Sequence, residues 1–231
     1  MVVTALDRSR AGIEAHELYR FFHAGDDETF ALRGVTIAAA PGEMLAIVGP
    51  SGSGKSTLLS CLAGLDEPDG GHVMVAGERI SRRSEDRRAS LRARWIGVLS
   101  QSGNLLEHLS VEQNIRVAQR LVDGGLKRDP EELLASVGLE SHRDARPTTL
   151  SGGEAARAGL AVALANEPAV VLADEPTGEV DRANEALILE LLRARADQGT
   201  AVVVVTHSTR VADAADRVIH LRDGRVDDAR P

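Results

Sequence analysis

Residues 49 to 57 read Gly-Pro-Ser-Gly-Ser-Gly-Lys-Ser-Thr, and the rest of the chain is organised around this segment. It follows the apolar run 44–48, a predicted strand, and it precedes a predicted helix that begins near Ser56. The pattern G-x-x-x-x-G-K-[ST] in this context predicts a phosphate-binding loop, because glycines let backbone N–H groups converge and the helix start adds its positive end. Lys55 is expected to reach the β- and γ-phosphates, and the Ser56 hydroxyl to bind Mg²⁺. The predicted phosphate-contacting residues are Gly49, Pro50, Ser51, Gly52, Ser53, Gly54, Lys55, Ser56 and Thr57.

The lysine of this loop argues against a plain glycine-rich turn between a strand and a helix. Of the 27 basic residues only Lys55 and Lys127 are lysines, so the composition strongly favours arginine. A phosphate-binding loop needs the compact charge of an ammonium group. A glycine-rich turn explains the glycines but not the Lys-Ser pair.

Length and composition place the chain among ordinary globular proteins. Its 231 residues suffice for one sizeable core or a core with an inserted subdomain. Charged residues make up 27% and hydrophobic residues 43% of the chain. The net charge of −8 argues against a dedicated nucleic-acid-binding protein, whose domain is usually basic. No nucleic-acid partner is expected.

The same composition predicts a cytosolic protein that is soluble by itself. The single cysteine, Cys61, cannot form an intramolecular disulfide and suits a small core position. No stretch reaches the ~18 apolar residues of a membrane span. Charged residues at 7, 8 and 10 interrupt any signal-peptide core. Any membrane role must therefore come through a partner.

The region before the phosphate-binding loop predicts an antiparallel β layer. Strand-like pieces at 18–22, 29–32 and 35–37 surround the turn 25–27. The scarce aromatics concentrate here, and one of them could stack on an adenine face, although core packing is the better explanation for any given one. A short strand at 73–75 follows the loop.

A basic segment and a helical region fill the middle of the chain. Residues 79–94 carry seven arginines with sparse apolar anchors, which favours a solvated helix face over a membrane or nucleic-acid surface. After the strand 96–99, helices are predicted at 111–122 and at 130–137, the second opened by Asp129 and a proline. We expect a helical subdomain over 101–160, inserted into a core formed by 13–100 and 161–226.

Two uninterrupted apolar runs, 169–173 and 201–205, resume the strands, with helical sequence at 182–195 between them. Continuous apolarity indicates burial on both faces, as in a parallel sheet covered by helices, so the predicted class is α/β. Ligands of such sheets bind beyond the carboxyl ends of the strands. The polar residues found there are Gln101, Asp174, Glu175, Thr206 and His207.

The strand-end carboxylates predict magnesium and proton chemistry. Asp174 is placed to hold a metal whose other ligands come from Ser56 and phosphates. Glu175 would point away from the metal and accept a proton from an attacking water. Each carboxylate alone is better explained as a helix N-cap or turn acid, and a lone strand-end histidine such as His207 is more often structural. The convergence of the two carboxylates with the phosphate-binding loop favours their catalytic interpretation, whereas the role of His207 depends on the family resemblance given below.

Residues 150 to 154, Leu-Ser-Gly-Gly-Glu, open a further predicted helix at 155–165. Ser151 and Glu154 predict a capping box. That box leaves Gly152 and Gly153 unexplained, since glycine weakens a helix by ~1 kcal/mol relative to alanine. Bare N–H groups at a helix start can meet an anion, and we expect both the cap and the phosphate contact.

Together these motifs, in this order and spacing, resemble the nucleotide-binding subunit of an ATP-binding cassette (ABC) transporter over residues 13–226. Gly64-Leu65-Asp66, Asn104-Leu105-Leu106 and Ala-Asp-Glu-Pro-Thr-Gly at 173–178 are similar to the macrolide-export and lipoprotein-release (MacB/LolD-like) class, whose ATPases pair with FtsX-type permeases. The resemblance implies a P-loop NTPase (RecA-like) core with an antiparallel β layer and an inserted α-helical subdomain.

The resemblance also implies roles for individual residues. Gln101 would sense Mg²⁺ and signal to the permease, and His207 would contact the γ-phosphate. Phe22 would stack on adenine, and Asp181 would contact a second subunit. Two copies would bind two ATP head to tail, Ser151 to Glu154 of each closing on the other's phosphate-binding loop. The ATPase would hydrolyse Mg-ATP at the inner face of the cell membrane, held there by the permease.

Three departures from the family pattern affect coupling and dimer contacts but remove no catalytic group. They are Leu99-Ser100 before Gln101, Ala155-Ala156-Arg157 after the signature, and Glu179-Val180 before Asp181. Leu105, Leu106 and Leu109 are candidates for the permease-docking surface, although core packing explains them equally well. The alternatives are a soluble ABC ATPase serving translation, DNA repair or cofactor assembly, and a module that binds nucleotide without hydrolysing it.

Overall fold

The computed structural model describes residues 12–24, 27–100, 104–122, 127–178 and 180–227, and for residues 23, 24, 27 and 28 only the backbone. Its strands are β1 Ile13–Ala24, β2 Asp27–Ala39, β3 Met44–Val48, β4 Gly70–Val75, β5 Glu78–Arg79, β6 Ile96–Leu99, β7 Val170–Asp174, β8 Ala201–Thr206, β9 Arg217–Arg222 and β10 Arg225–Val226. Its α-helices are α1 Lys55–Leu62, α2 Glu85–Trp95, α3 Val111–Arg120, α4 Pro130–Ser136, α5 Gly152–Ala163, α6 Arg182–Asp197 and α7 Thr209–Ala214. Two 3₁₀ turns lie at Glu140–His142 and Pro147–Thr149.

The strands form two sheets. One has six strands in the order β10-β9-β3-β8-β7-β6, parallel except for the β9–β10 hairpin. The other has four antiparallel strands in the order β2-β1-β4-β5. The predicted α/β class with an antiparallel layer is confirmed.

The parallel sheet is buried on both faces because its strands carry apolar residues at consecutive positions. In β8, Val203 and Val205 join a core with α1 and the antiparallel sheet, while Val202 and Val204 join a second core with α3 to α6. Alternate side chains of a strand point to opposite faces, so one valine run serves both cores. The helices of the 101–160 region therefore pack on the same sheet as α6.

Two elements differ from the sequence expectations. The strand-like pieces before the loop form one long hairpin, because β1 and β2 pair along their whole length across irregularities between Ala15 and Phe21. The helix expected over 79–94 begins only at Glu85, since Glu78–Arg79 pairs with β4 and the first turn of α2 then carries its acidic residues. Only Leu91 of α2 is buried.

Candidate functional site

The phosphate-binding loop lies between β3 and α1, as the motif predicts. Gly54 has φ +101°, a backbone region that disfavours other residues. A Cβ on Gly54 would lie 2.3 Å from the Ala31 carbonyl oxygen, and one on Gly49 would lie 2.1 Å from that of Leu221. The loop is thus wedged between β2 and β9, which gives two of its glycines a packing reason besides the phosphate contact.

The ammonium group of Lys55 lies over the loop. Its Nζ donates hydrogen bonds of 2.9 Å to the carbonyl oxygens of both Gly49 and Pro50. A lysine held this way places a positive charge at the loop, close to the N–H groups that begin α1. The arrangement suits an anion with several oxygens.

The Ser56 hydroxyl faces Asp174 across the parallel sheet edge, with 3.5 Å between Oγ and Oδ1. Burial is the main cause that raises the pKa of Asp174, and the Ser56 hydroxyl opposes that shift. A half-buried carboxylate beside a hydroxyl offers the hard oxygen ligands that Mg²⁺ prefers. These two residues therefore fit the predicted magnesium ligands, with the remaining ligands left to phosphate oxygens and water. The described residues contain no cluster of three or more His, Cys, Asp or Glu suited to a metal.

Glu175 follows Asp174 and is held by the end of β8. Its Oε2 accepts hydrogen bonds from the Thr206 hydroxyl at 3.1 Å and from the His207 N–H at 3.3 Å. Its Oε1 lies 2.8 Å from Nδ1 of His207, a contact that places the proton on Nδ1 when the carboxylate is ionised. The backbone of Glu175 has φ +46°, a strained conformation of the kind that clusters at functional sites.

These groups share one open groove of about 670 Å³. Its described lining comprises Phe22, Thr29, Phe30, Ala31, Gly49, Pro50, Ser51, Gly52, Gly54, Lys55, Ser56, Thr57, Asp174, Glu175 and His207. The structure therefore brings the phosphate-binding loop, both carboxylates and the histidine together. Ser53 is the exception within the loop, because its side chain is buried beneath it.

Two aromatic rings stand at the mouth of the groove. Phe22, favoured by the resemblance, is 43% exposed, and the Arg20 guanidinium lies 4.6 Å from its ring centroid. Phe30 is 42% exposed and lines the same groove. From the sequence, Phe30 was one of several aromatics equally consistent with strand packing, and it was not singled out. Pairing of β1 with β2 brings it beside Phe22, and that pairing is not visible in a local sequence pattern.

The Leu-Ser-Gly-Gly-Glu motif begins α5 away from the described lining of the groove. Ser151 accepts from the Glu154 N–H at 3.4 Å and Glu154 accepts from the Ser151 N–H at 2.8 Å, so the predicted capping box is confirmed. Asp181 precedes α6 and likewise lies outside that lining. Within one chain Ser151 and Gly152 of this motif are exposed, and the motif lies outside the described lining of the groove.

One predicted site residue is not described by the structure, and one residue of the site had no predicted role. Gln101 lies outside the described residues. Thr206 was noted only as a polar strand end, yet it is fully buried and donates to Glu175 while accepting from the Ser208 N–H at 3.0 Å. A hydroxyl directly before a strand-end histidine was the available sequence signal for it.

The fold and the groove define a P-loop nucleoside-triphosphate-binding protein of mixed α/β architecture. Residues 32–178 match the ABC transporter family. The chain is 41% identical over 220 residues to an uncharacterized ABC transporter ATP-binding protein of Thermotoga maritima, covering 93% of each chain. The chain therefore belongs to the ABC transporter family, as an ATP-binding cassette.

Other relatives and solved structures agree. The macrolide export ATP-binding/permease protein MacB of Shigella flexneri is 41% identical over 219 residues, which cover 93% of this chain but about a third, 34%, of MacB. The cassette MJ0796, in a dimeric post-hydrolysis state bound to ADP and Pi, superposes with a TM-score of 0.86 at 32% identity, covering 93% of this chain and 96% of that one. The cassette cbiO1 from Clostridium perfringens, part of the cbiONQ complex, has a TM-score of 0.79 at 28% identity, with 94% and 87% coverage.

Proposed function

We propose that this protein hydrolyses Mg-ATP as a homodimer and thereby drives an integral-membrane permease of the FtsX/MacB type. The observation that carries the ATPase part is the single groove that holds Lys55, Ser56, Asp174, Glu175 and His207. Membership of the ABC transporter family supports ATP binding and ATPase activity in general.

In the proposed reaction a water attacks the γ-phosphorus, its new P–O bond forms, and the bond to the bridging oxygen of ADP breaks. Glu175 takes the proton of the water, and Lys55 and the loop N–H groups hold the phosphates. His207 would hold the γ-phosphate. Mg²⁺ bound by Ser56 and Asp174, with Gln101 as a further proposed ligand, would neutralise phosphate charge.

The second copy is proposed from the separation of the two half-sites. Ser151, Gly152 and Asp181 are exposed, and they lie outside the groove of their own chain. The dimeric structure of MJ0796 bound to ADP and Pi supports a homodimer. The proposed pairing brings each signature motif against the opposite phosphate-binding loop. Turnover would then require the dimer, whereas a single chain would still bind ATP.

The permease is proposed from the relatives. The name of MacB joins an ATP-binding part to a permease, and this chain matches about a third of it. No helix in the described part of the chain has the length and apolarity to cross a membrane. We propose that the protein lies at the inner face of the membrane, bound to a permease, with Leu106 at the docking surface because it is 44% exposed. Leu105 packs partly against the second core.

Glu175→Gln tests the ATPase assignment. We expect unchanged ATP affinity, a fall in turnover of about 10²–10⁴-fold as for loss of a general base, and an ATP-dependent dimer visible by size-exclusion chromatography. Glu190→Gln is the matched control, because Glu190 is an exposed residue of α6. Near-normal phosphate release by Glu175→Gln would reject Glu175 as the base, and no Mg-dependent release from the parent protein, even with the permease, would favour a non-hydrolysing module.

Affinity purification from the native host tests the partner. Recovery with an FtsX-type membrane protein is the expected result. Recovery only with ribosomes or DNA would overturn the transport assignment in favour of a soluble ABC ATPase, although the net charge of −8 speaks against such a partner.

A further inference from the structure

The first turns of α5 and α6 meet at one close contact. Gly153 is buried in the first turn of α5, and a Cβ added to it would lie 2.2 Å from Cγ of Asn184 and 2.4 and 2.5 Å from the two amide heteroatoms. The planar amide of Asn184 therefore lies directly against the α-carbon of Gly153. No larger residue fits at position 153 while Asn184 stays in place.

The same amide is tied to Asp181. Asn184 Nδ2 donates to Asp181 Oδ2 at 2.9 Å, and the Asn184 N–H donates to Asp181 Oδ1 at 2.9 Å. Asp181 Oδ1 also accepts from the Ala183 N–H at 2.9 Å, so both carboxylate oxygens are held. Asn184 supplies two of these three hydrogen bonds, and its side chain is thereby fixed between Asp181 and Gly153.

Both ends of this contact open onto the surface. Ser151 and Gly152 at the start of α5 are exposed, as are Asp181 and Arg182 at the start of α6. Under the proposed function these two turns face the second copy of the chain. A side chain that fixes the distance between them also fixes the shape of the surface that the second copy meets.

We propose that Asn184 is a positioning residue that locks the start of the signature helix to the Asp181 turn, so that one subunit presents both turns to its partner as a single rigid surface. The proposal rests on the proposed function. Capping of α6 would need only the Asp181 carboxylate and backbone N–H groups. It does not explain why the Asn184 amide packs on Gly153, and this contact supports the positioning role.

The test uses the full chain in the Glu175→Gln background, with the ATP-dependent dimer measured by size-exclusion chromatography and ATP affinity measured with a fluorescent nucleotide. Gly153→Ala is expected to weaken the dimer about tenfold or more, because its methyl group overlaps the amide. Adding Asn184→Gly removes the overlap and is expected to recover part of that loss, down to the several-fold weakening expected when the Asn184 side chain is absent. The ATP affinity of the Asn184→Ala protein, measured at a protein concentration too low for dimer formation, is expected to stay unchanged, since the phosphate-binding loop of the same chain lies elsewhere.

Two further variants keep the test decisive if Gly153→Ala folds poorly. Asn184→Ala creates no overlap and is expected to weaken the dimer several-fold, whereas Asn184→Ser keeps a short donor toward Asp181 and is expected to weaken it less. Ala183→Gly is the matched control for helix propensity, because Ala183 is exposed in the same turn.

Normal dimer formation by both Gly153→Ala and Asn184→Ala, or no recovery in the Gly153→Ala/Asn184→Gly protein, overturns the inference while leaving the proposed function intact. A Glu175→Gln parent that binds ATP but never dimerises overturns the proposed homodimer, and the inference with it.

Discussion

The two glycine-bearing helix starts of this protein are built in opposite ways. Helix α1 is preceded by Gly54, which has no side chain with which to cap the first N–H groups. Helix α5 is preceded by Ser151, which forms a complete capping box with Glu154. The start of α1 therefore leaves its N–H groups to a ligand, while that of α5 satisfies part of its own hydrogen bonding.

Packing adds a second difference. Positions 54 and 49 require glycine because backbone carbonyl groups of β2 and β9 leave no room for a Cβ, and these strands belong to the sheets that line the groove. Position 153 requires glycine because the Asn184 side chain of the neighbouring helix occupies the space of a Cβ. The first site is assembled by distant strands of one chain, and the second is a local surface of two helix turns. The comparison fits the proposed function, in which one chain prepares the nucleotide site and a second copy would close it.

The largest effect is expected for ATP binding at the phosphate-binding loop that precedes α1. Lys55→Ala is expected to lower ATP affinity about 100-fold, because a hydrogen bond to a charged group contributes about 1.5–3 kcal/mol and Lys55 makes several to phosphates in the proposed complex. Titration with a fluorescent ATP analogue measures it. Lys127→Ala, an exposed lysine, is the control. Unaltered affinity in Lys55→Ala would contradict the assignment of the groove.

A smaller effect is expected where β8 supports the groove. Thr206→Val keeps the shape of the buried side chain but removes the donor to Glu175 and leaves the Ser208 N–H without its acceptor. We expect about a tenfold lower kcat, corresponding to about 1.4 kcal/mol, with ATP affinity unchanged. Thr206→Ser should keep most of the activity. Equal losses in both variants would mean that the methyl group, not the hydroxyl, matters.

The start of α5 is tested by comparing its capping box with the capping box at the start of α3. Ser151→Ala and Ser110→Ala each remove the cap of a helix, since Ser110 forms the same box with Gln113 at the start of α3. Each is expected to cost about 1 kcal/mol of unfolding free energy, measured by urea denaturation. Only Ser151→Ala should also weaken the ATP-dependent dimer. A matching dimer defect in Ser110→Ala would show that helix fraying alone is responsible.

The smallest effect concerns pH. Hydrogen bonds from the Ser151 N–H, and then from its hydroxyl, lower the pKa of Glu154. Its stabilising contribution is therefore present above the unfolded value of about 4.3 and is lost as pH falls through the lower folded pKa. Glu154→Gln gives α5 the neutral box that α3 has with Gln113.

Urea denaturation between about pH 3 and 7 measures this difference. The wild-type protein should exceed Glu154→Gln in stability at neutral pH, and the gap should close toward acid. A gap that is constant with pH would show that the charge of Glu154 contributes nothing to the cap.

Much of the site was accessible from the sequence because its motifs are contiguous and each carries its own local reason. The loop 49–57 needs only its neighbours to curl, and Ser151 with Glu154 caps a helix within four residues. Asp174, Glu175 and His207 were predicted together because parallel strands end at one edge. The roles of Gln101, Phe22, Asp181 and His207 came from the family resemblance, and the roles of all the site residues stay predictions.

The α/β class, the phosphate-binding loop and the buried strands could be predicted from residue type and short-range periodicity alone. Three contacts became visible in the folded chain: Phe30 beside Phe22 at the groove, Thr206 bonded to Glu175, and Asn184 packed on Gly153. Each of these contacts joins residues about 8 to 31 positions apart. Such contacts depend on how strands and helices pack against each other, and no local pattern along the chain encodes that packing.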